Sequence, residues 1–299
     1  MTHIDLGRLG VWGHLDSLAA DDARAYARRA DELGFGTLWV PETVGREPFT
    51  LLGMLAGATS RISLGTSIVS IWGRDAQATR MSAMTLQEAS GGRFVLGLGV
   101  SHPHLAGKLR GHTFERPLTH MREYLAAYRS AIYRGPMTDG TADPPVLIAA
   151  LRERMADLAA TDADGAFPYL VTPERVEWMR ARLDAARDDG GRPLLAVTLP
   201  VALEEGNADT RGAARAYLKP YLRTPTYHAS WELQGFSPDD WELPGSDRLV
   251  DAMVAQGDAP AIRGRIDELA SAGADHVALI PLSAVGTTEH LPTLEALAP

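Results

Sequence analysis

Apolar and polar positions follow two rhythms along this chain. In residues 20–33, Ala23, Tyr26, Ala27, Ala30 and Leu33 fall on one stripe with charge on the opposite face, the spacing of an amphipathic helix. Gly34 supplies a left-handed stop, and Phe35-Gly36 leads into TLWVP, a short apolar, β-branched and aromatic run that reads as a buried parallel strand. The same helix-glycine-strand unit returns in IRGRIDELASAGADHVALIPL, which passes through Gly273 to a strand at 276–280. Between these units the pattern predicts helices near 49–58, 76–89, 118–133 and 152–161, and another opened by Thr172-Pro173-Glu174.

The strands that alternate with these helices are GRLGVWG, TLWVP, ISLGTSIVS, RFVLGLGVS, PVLIAA, GAFPYLV, LLAVTLPVAL and the run at 276–280, eight in all. Each is apolar enough to be covered on both faces, which points to βα units in a parallel sheet. Eight such units in 299 residues favour a closed (β/α)8 TIM barrel, one domain over 1–299, above an open doubly wound sheet. The rhythm breaks at about 204–258, before the last strand, in a stretch rich in Trp, Tyr and Pro. An insertion of that length is a lid over the barrel mouth or a subunit contact of a homodimer, buried through Tyr217, Tyr227, Trp231 and Trp241.

Composition narrows the class. Hydrophobic residues make up 45% and charged residues 22%, the balance of a globular protein. The absence of cysteine excludes disulfides, cysteine-ligated metal and thiol nucleophiles. The N-terminal stretch lacks the basic start and apolar run of a signal peptide, and no stretch approaches the roughly 18 apolar residues of a membrane span, so a cytoplasmic location is expected. A net charge of -9 with scattered basic residues argues against nucleic acid and membrane surfaces as partners and for a small-molecule substrate. Lys108 and Lys219 are the only lysines in an Arg-, Ala-, Asp- and Gly-rich chain, the usage of a GC-rich genome.

In a parallel barrel, reacting groups stand at the C-terminal strand ends. Gly97-Leu98-Gly99 starts like a dinucleotide fingerprint, but His102 stands where the third glycine belongs. Gly97 and Gly99 instead let a flat ligand lie against the strand end, or serve packing. His102 and His104 make an H-x-H pair, yet the later strand ends add no further ligands and no metal is expected. A neutral His102 can donate a hydrogen bond or move a proton near pH 7. Arg152 and Arg154 open a helix whose N-terminus attracts phosphate. There is no G-x-S-x-G elbow or P-loop.

LQEASGGRFVLGLGVSH resembles the L-x-x-x-S-x-G-R-F-x-L-G-x-G pattern of the luciferase-like flavin and deazaflavin oxidoreductases, through Ser90, Gly92, Arg93, Phe94, Leu96, Gly97 and Gly99. ADELGFGTLWVPE, SRISLGTSIVSI and GDAPAIRGRIDELASAGADHVAL extend the resemblance over nearly the whole chain. DGAFPYLVTPERV and YLRTPTYHASWELQGF are similar to an F420-dependent subgroup common in actinobacteria. The resemblance implies F420, with FMN as the alternative, at a mouth formed by Glu42, Thr43, Ser67, Ile68, Ser101 and His102. It implies a cofactor tail near Ala150, Leu151, Arg152, Tyr169 and Thr172, a cis peptide at Ser67-Ile68, and His102 or Glu42 as proton carrier. The implied reaction is hydride transfer between F420 and a small organic substrate; the alternatives are an FMN-dependent monooxygenase using O2 and a flavin-binding protein without turnover. Deazaflavin sugar-phosphate dehydrogenases of this superfamily carry Asp-His and Glu where this chain has Glu42-Thr43 and His102, and Leu151-Arg152-Glu153-Arg154 replaces a loop of Gly and Pro.

Overall fold

The structure, a computed structural model, describes residues 5–136, 142–187, 190–204, 206 and 209–299. Its strands are β1 (Leu9–Trp12), β2 (Thr37–Val40), β3 (Ser63–Thr66), β4 (Val69–Ser70), β5 (Phe94–Gly99), β6 (Val146–Ile148), β7 (Gly165–Ala166), β8 (Leu194–Leu203), β9 (Ala255–Gly257) and β10 (His276–Pro281). All pair in parallel in the order β1-β2-β3-β5-β6-β7-β8-β10, and β10 returns to β1 to close the barrel. The eight barrel strands are the eight read from the sequence. Of the two short extra strands, β4 pairs with β5 just beyond β3, and β9 pairs with the end of β8.

Six helices follow the strands as expected: α1 (Ala20–Glu32), α2 (Pro48–Ala56), α3 (Ala76–Ala89), α4 (Pro117–Ser130), α5 (Glu153–Asp162) and α6 (Pro173–Ala186). The insertion supplies α7 (Thr210–Leu218), α8 (Pro225–Glu232), the single turn α9 (Pro238–Trp241) and α10 (Asp247–Met253), of which residues 205, 207 and 208 just before α7 lie outside the described residues. The chain then forms α11 (Ala259–Ser271) and, after β10, α12 (Leu291–Leu297), which the apolar pattern did not announce. No helix among the described residues is long and apolar enough to cross a membrane.

Successive strand residues point to opposite faces, and here both faces are apolar. Leu9, Val11, Leu38, Val40, Phe94, Leu96 and Leu98 join the layer beneath the helices, whereas Trp12, Trp39, Val95, Leu147 and Phe167 join the barrel interior. Trp39 fills that interior: its indole N–H donates to Nε2 of His276 at 2.9 Å, and His276 Nδ1 donates to the Gly7 carbonyl at 2.7 Å. Glycines make the room. A Cβ on Gly65 would stand 2.2 Å from the Trp39 ring, and one on Gly10 would stand 2.5 Å from His276 Nε2. Gly97 belongs to the same packing, since its Cβ would lie 1.9 Å from the Thr66 carbonyl; a Cβ on Gly99 would meet the Ile68 side chain at 2.5 Å. These two glycines accommodate the neighbouring β3–β4 chain, the packing role that the sequence left open for them.

The insertion's aromatics are buried within this chain. Tyr217, Tyr227 and Trp231 are nearly inaccessible, and Trp241 stacks on His228 at 4.8 Å. Trp231 donates to the Leu170 carbonyl at the far end of the barrel's sixth βα unit, so α8 is fastened over the strand ends. The insertion therefore packs on the mouth.

Candidate active site

A cavity of about 290 Å³ opens at the C-terminal ends of the strands, close to the lower bound for small-molecule sites. Its wall contains Glu42, Thr43, Ser67, Ile68, Ser101, His102, Leu151, Arg152 and Tyr169, nine of the positions expected from the sequence. Two expected positions lie elsewhere. Ala150, expected to contribute its backbone, turns its side chain into the helix layer, while its neighbours Ala149 and Leu151 line the wall. Thr172 is the N-cap of α6, its hydroxyl accepting from the Arg175 amide, so the two make no part of the wall. The wall also includes Trp12 and His14 at the end of the first strand, Tyr227 of the expected lid, and three residues that sequence reasoning did not assign to the site, Phe167, Tyr221 and Thr226.

The floor is set by the chain between β3 and β4. The Ser67-Ile68 peptide is cis, at the bond implied by the resemblance. The Trp12 indole donates to the Ser67 carbonyl at 3.1 Å, and the Glu42 amide donates to the Ile68 carbonyl at 3.2 Å. The Glu42 carboxylate accepts from the Ser70 amide at 2.6 Å, from Arg74 at 3.0 and 3.1 Å, and from Arg110 at 2.9 Å. Both of its oxygens are occupied and its charge is matched by two guanidinium groups. Glu42 is thereby a clamp between β2, the β4 turn and the loop after β5.

His102 contrasts with the other buried histidine. His276 uses both ring nitrogens, but His102 Nδ1 is buried with no hydrogen-bond partner, and neither ring nitrogen is engaged by the described residues. Ser101, at φ 56°, makes the left-handed turn that ends β5 and presents the imidazole to the cavity. Burial, reinforced by the nearby His104, pushes the His102 pKa down to about 4, so the ring is a neutral base at pH 7. His104 stacks on it at 5.9 Å, and Tyr227 tilts against it at 5.4 Å. Burial also lowers His14, against the opposing charges of Asp16 and Glu289.

Tyrosines close the chamber's upper side. Tyr169 hydrogen-bonds through its hydroxyl to Tyr217 and, at 3.0 Å, to Tyr221, tying β7's end to the insertion. Burial raises both the Tyr169 and Tyr217 hydroxyls well above the usual tyrosine range, so the cluster is uncharged. At the chamber's edge Arg152 precedes α5 without capping it by its side chain, and neither Arg152 nor Arg154 has an acidic partner among the described residues. Behind them the Arg175 guanidinium donates to the Leu151 carbonyl at 2.6 Å and lies 3.6 Å over Trp178, again without a carboxylate. Aromatic and aliphatic walls beside a cationic helix N-terminus fit a planar ring carrying an anionic tail.

A closed parallel barrel with its site at the C-terminal mouth, sealed by an insertion before the last strand, defines the class, and the chain belongs to the luciferase-like monooxygenase family, whose profile matches residues 1–276. The protein is a luciferase-like oxidoreductase. A Mycobacterium tuberculosis protein provisionally named a coenzyme F420-dependent oxidoreductase is 29% identical over 283 residues, covering 83% of this chain and 79% of that one. Among solved structures, an F420-dependent secondary alcohol dehydrogenase in complex with an F420-acetone adduct aligns with TM-score 0.74 at 14% identity, over 97% of this chain and 96% of the other. The FMN-bound oxygenating constituent of 3,6-diketocamphane monooxygenase from Pseudomonas putida aligns with TM-score 0.72 at 15% identity, over 97% and 96%.

Proposed function

We propose that this protein transfers a hydride between coenzyme F420 and a small organic substrate. The observation that carries the reading is the pairing of an aromatic-walled chamber, whose one lining carboxylate is held by Arg74 and Arg110, with an edge where Arg152 has no acidic partner among the described residues and stands at the uncapped N-terminus of α5. Trp12, Ile68 and Tyr169 would hold the ring, and Arg152 with the α5 N-terminus the anionic tail. When bound, the deazaflavin supplies a two-electron hydride donor or acceptor. The chain's part is to shield the reacting atoms from water beneath the insertion and to hold the substrate's oxygen by a hydrogen bond at His102, whose ring burial keeps neutral and whose nitrogens no described residue engages. The M. tuberculosis relative, named for F420, supports this cofactor.

FMN is the second reading, favoured by the FMN-bound monooxygenase that shares the fold. Titrating the cofactor-free protein with each cofactor, followed by ring fluorescence, tests the choice. The expected result is F420 binding at least about tenfold more tightly than FMN, a difference of about 1.4 kcal/mol. Tighter FMN binding, with O2 consumption by the reduced complex, would overturn it.

A further inference from the structure

The chamber has a neighbour. Between the end of β1, α7 of the insertion and the chain after β10 lies a groove of about 370 Å³, open to solvent. His14 and Tyr221 line both hollows, so at these two points the partition is a single side chain. They are held unequally. The Tyr221 hydroxyl bonds that of Tyr169 at 3.0 Å, and its ring stands edge-on to Tyr227 at 5.2 Å. The His14 backbone is fixed as well: its amide donates to Thr288 Oγ1 at 2.7 Å, beside Gly13, where a Cβ would meet the Thr288 carbonyl at 2.7 Å. The half-buried His14 ring, by contrast, rests edge-on against Trp12 at 4.9 Å, and neither of its nitrogens bonds a described residue. Rotation about the His14 side-chain bonds therefore opens the partition while the backbone stays in place.

The groove lies across the barrel from the cationic edge. In the ring of eight strands β1 and β6 are four places apart, so His14, after β1, stands on the opposite side of the mouth from Arg152, after β6. Its charge is opposite too. Asp16 and Glu289 are the only formally charged residues lining the groove, and neither is ion-paired among the described residues; Asp16 accepts from the Thr43 hydroxyl and the Arg46 amide, Glu289 from the Ser17 hydroxyl and the Thr288 amide. A cleft lined by one sign of charge concentrates molecules of the other sign and repels its own. Resting on the reading that a redox ring fills the chamber with its anionic tail at Arg152, we propose that this groove is a second entrance, gated by the His14 side chain. Substrate reaches the ring through it while the cofactor's tail occupies the other side, and Asp16 and Glu289 admit neutral and cationic molecules ahead of anions.

The test measures collisional quenching of the bound ring's fluorescence lifetime, in F420-loaded protein and in FMN-loaded protein, by acrylamide, iodide and the N-methylpyridinium cation. His14→Ala is expected to raise the acrylamide quenching constant about threefold, and His14→Trp, which fills the gap, to lower it by a similar factor. Relative to the free cofactor, N-methylpyridinium should quench at least about threefold better than iodide, and Asp16→Asn combined with Glu289→Gln should erase that preference, as should high salt. Asn and Gln each keep an acceptor oxygen for the bonds these carboxylates make. Quenching indifferent to both His14 variants, or without the cation preference, overturns the proposal. If F420 binds and quenching ignores His14, the entrance falls and the cofactor assignment stands. If FMN binds and F420 does not, the F420 assignment falls and the entrance is judged on FMN by the same criteria; if neither binds, both fall.

Discussion

His276 makes the stability of the barrel depend on pH in a direction fixed by its surroundings. Its Nε2 accepts from the Trp39 indole and its Nδ1 donates to Gly7. Protonating Nε2 would set two N–H donors against each other in a fully enclosed interior. Burial, the dominant cause, pushes its pKa down from the ordinary 6.5 to about 4 despite opposing hydrogen bonds from the Gly7 and Leu6 backbone. Between those values the unfolded chain binds a proton that the folded chain refuses, so stability present above pH 6.5 is lost as pH falls and levels off below about 4. At 1.36 kcal/mol per pH unit the loss is about 3 kcal/mol. Urea unfolding at pH 7, 6, 5 and 4 on the wild type and on His276→Gln isolates it, because His102, His14 and every carboxylate titrate in both proteins. The variant starts less stable at pH 7, and the two curves should converge by about 3 kcal/mol on acidification. Parallel curves would show that the His276 site tolerates charge and would refute the argument.

Other consequences are sharper in sign than in size. Gly65→Ala forces a Cβ to 2.2 Å from Trp39 in a packed interior and should cost about 3 kcal/mol, whereas Gly53→Ala, exposed in α2 with nothing within 4 Å, should gain about 0.5 kcal/mol; paired thermal melts compare them. Asp31→Ala removes the carboxylate that accepts from the backbone of Ser60, Arg61 and Ile62, and should destabilise by about 3 kcal/mol in denaturant unfolding at pH 7. With F420 and a turnover substrate, His102→Ala should lower kcat about 10²-fold with Tm nearly unchanged. Glu42→Ala, which strands Arg110 beside the floor and leaves Arg74 with Glu47 alone, should instead lower Tm and weaken cofactor binding while leaving the pH profile of kcat unmoved.

The barrel was legible because each βα unit carries its own punctuation. Residues 20–33 show the apolar stripe of α1, Gly34 adopts φ 89° as the stop, and TLWV follows as β2. Which strand residues face inward was not legible, since Leu38, Trp39 and Val40 are all apolar and only closure of the sheet sends Trp39 to the centre. The strand-end rule located Ser67, Ser101 and His102, but Phe167 looks like any core residue of an apolar strand. Tyr227 was legible as an aromatic of a lid or a subunit contact, but Tyr221 reaches the chamber only because the insertion folds back across the mouth, a contact between distant segments that no local pattern encodes. The clamping of Glu42 was hidden for the same reason: its ion-pair partners Arg74 and Arg110 come from other loops.

The direct test of the account is a crystal structure of the protein grown with F420. It should place the deazaflavin ring in the chamber against Ile68 and Trp12, within reach of His102, with the tail running to Arg152 and the start of α5. A ring bound anywhere outside that mouth, or a tail directed away from Arg152 and α5, would contradict it.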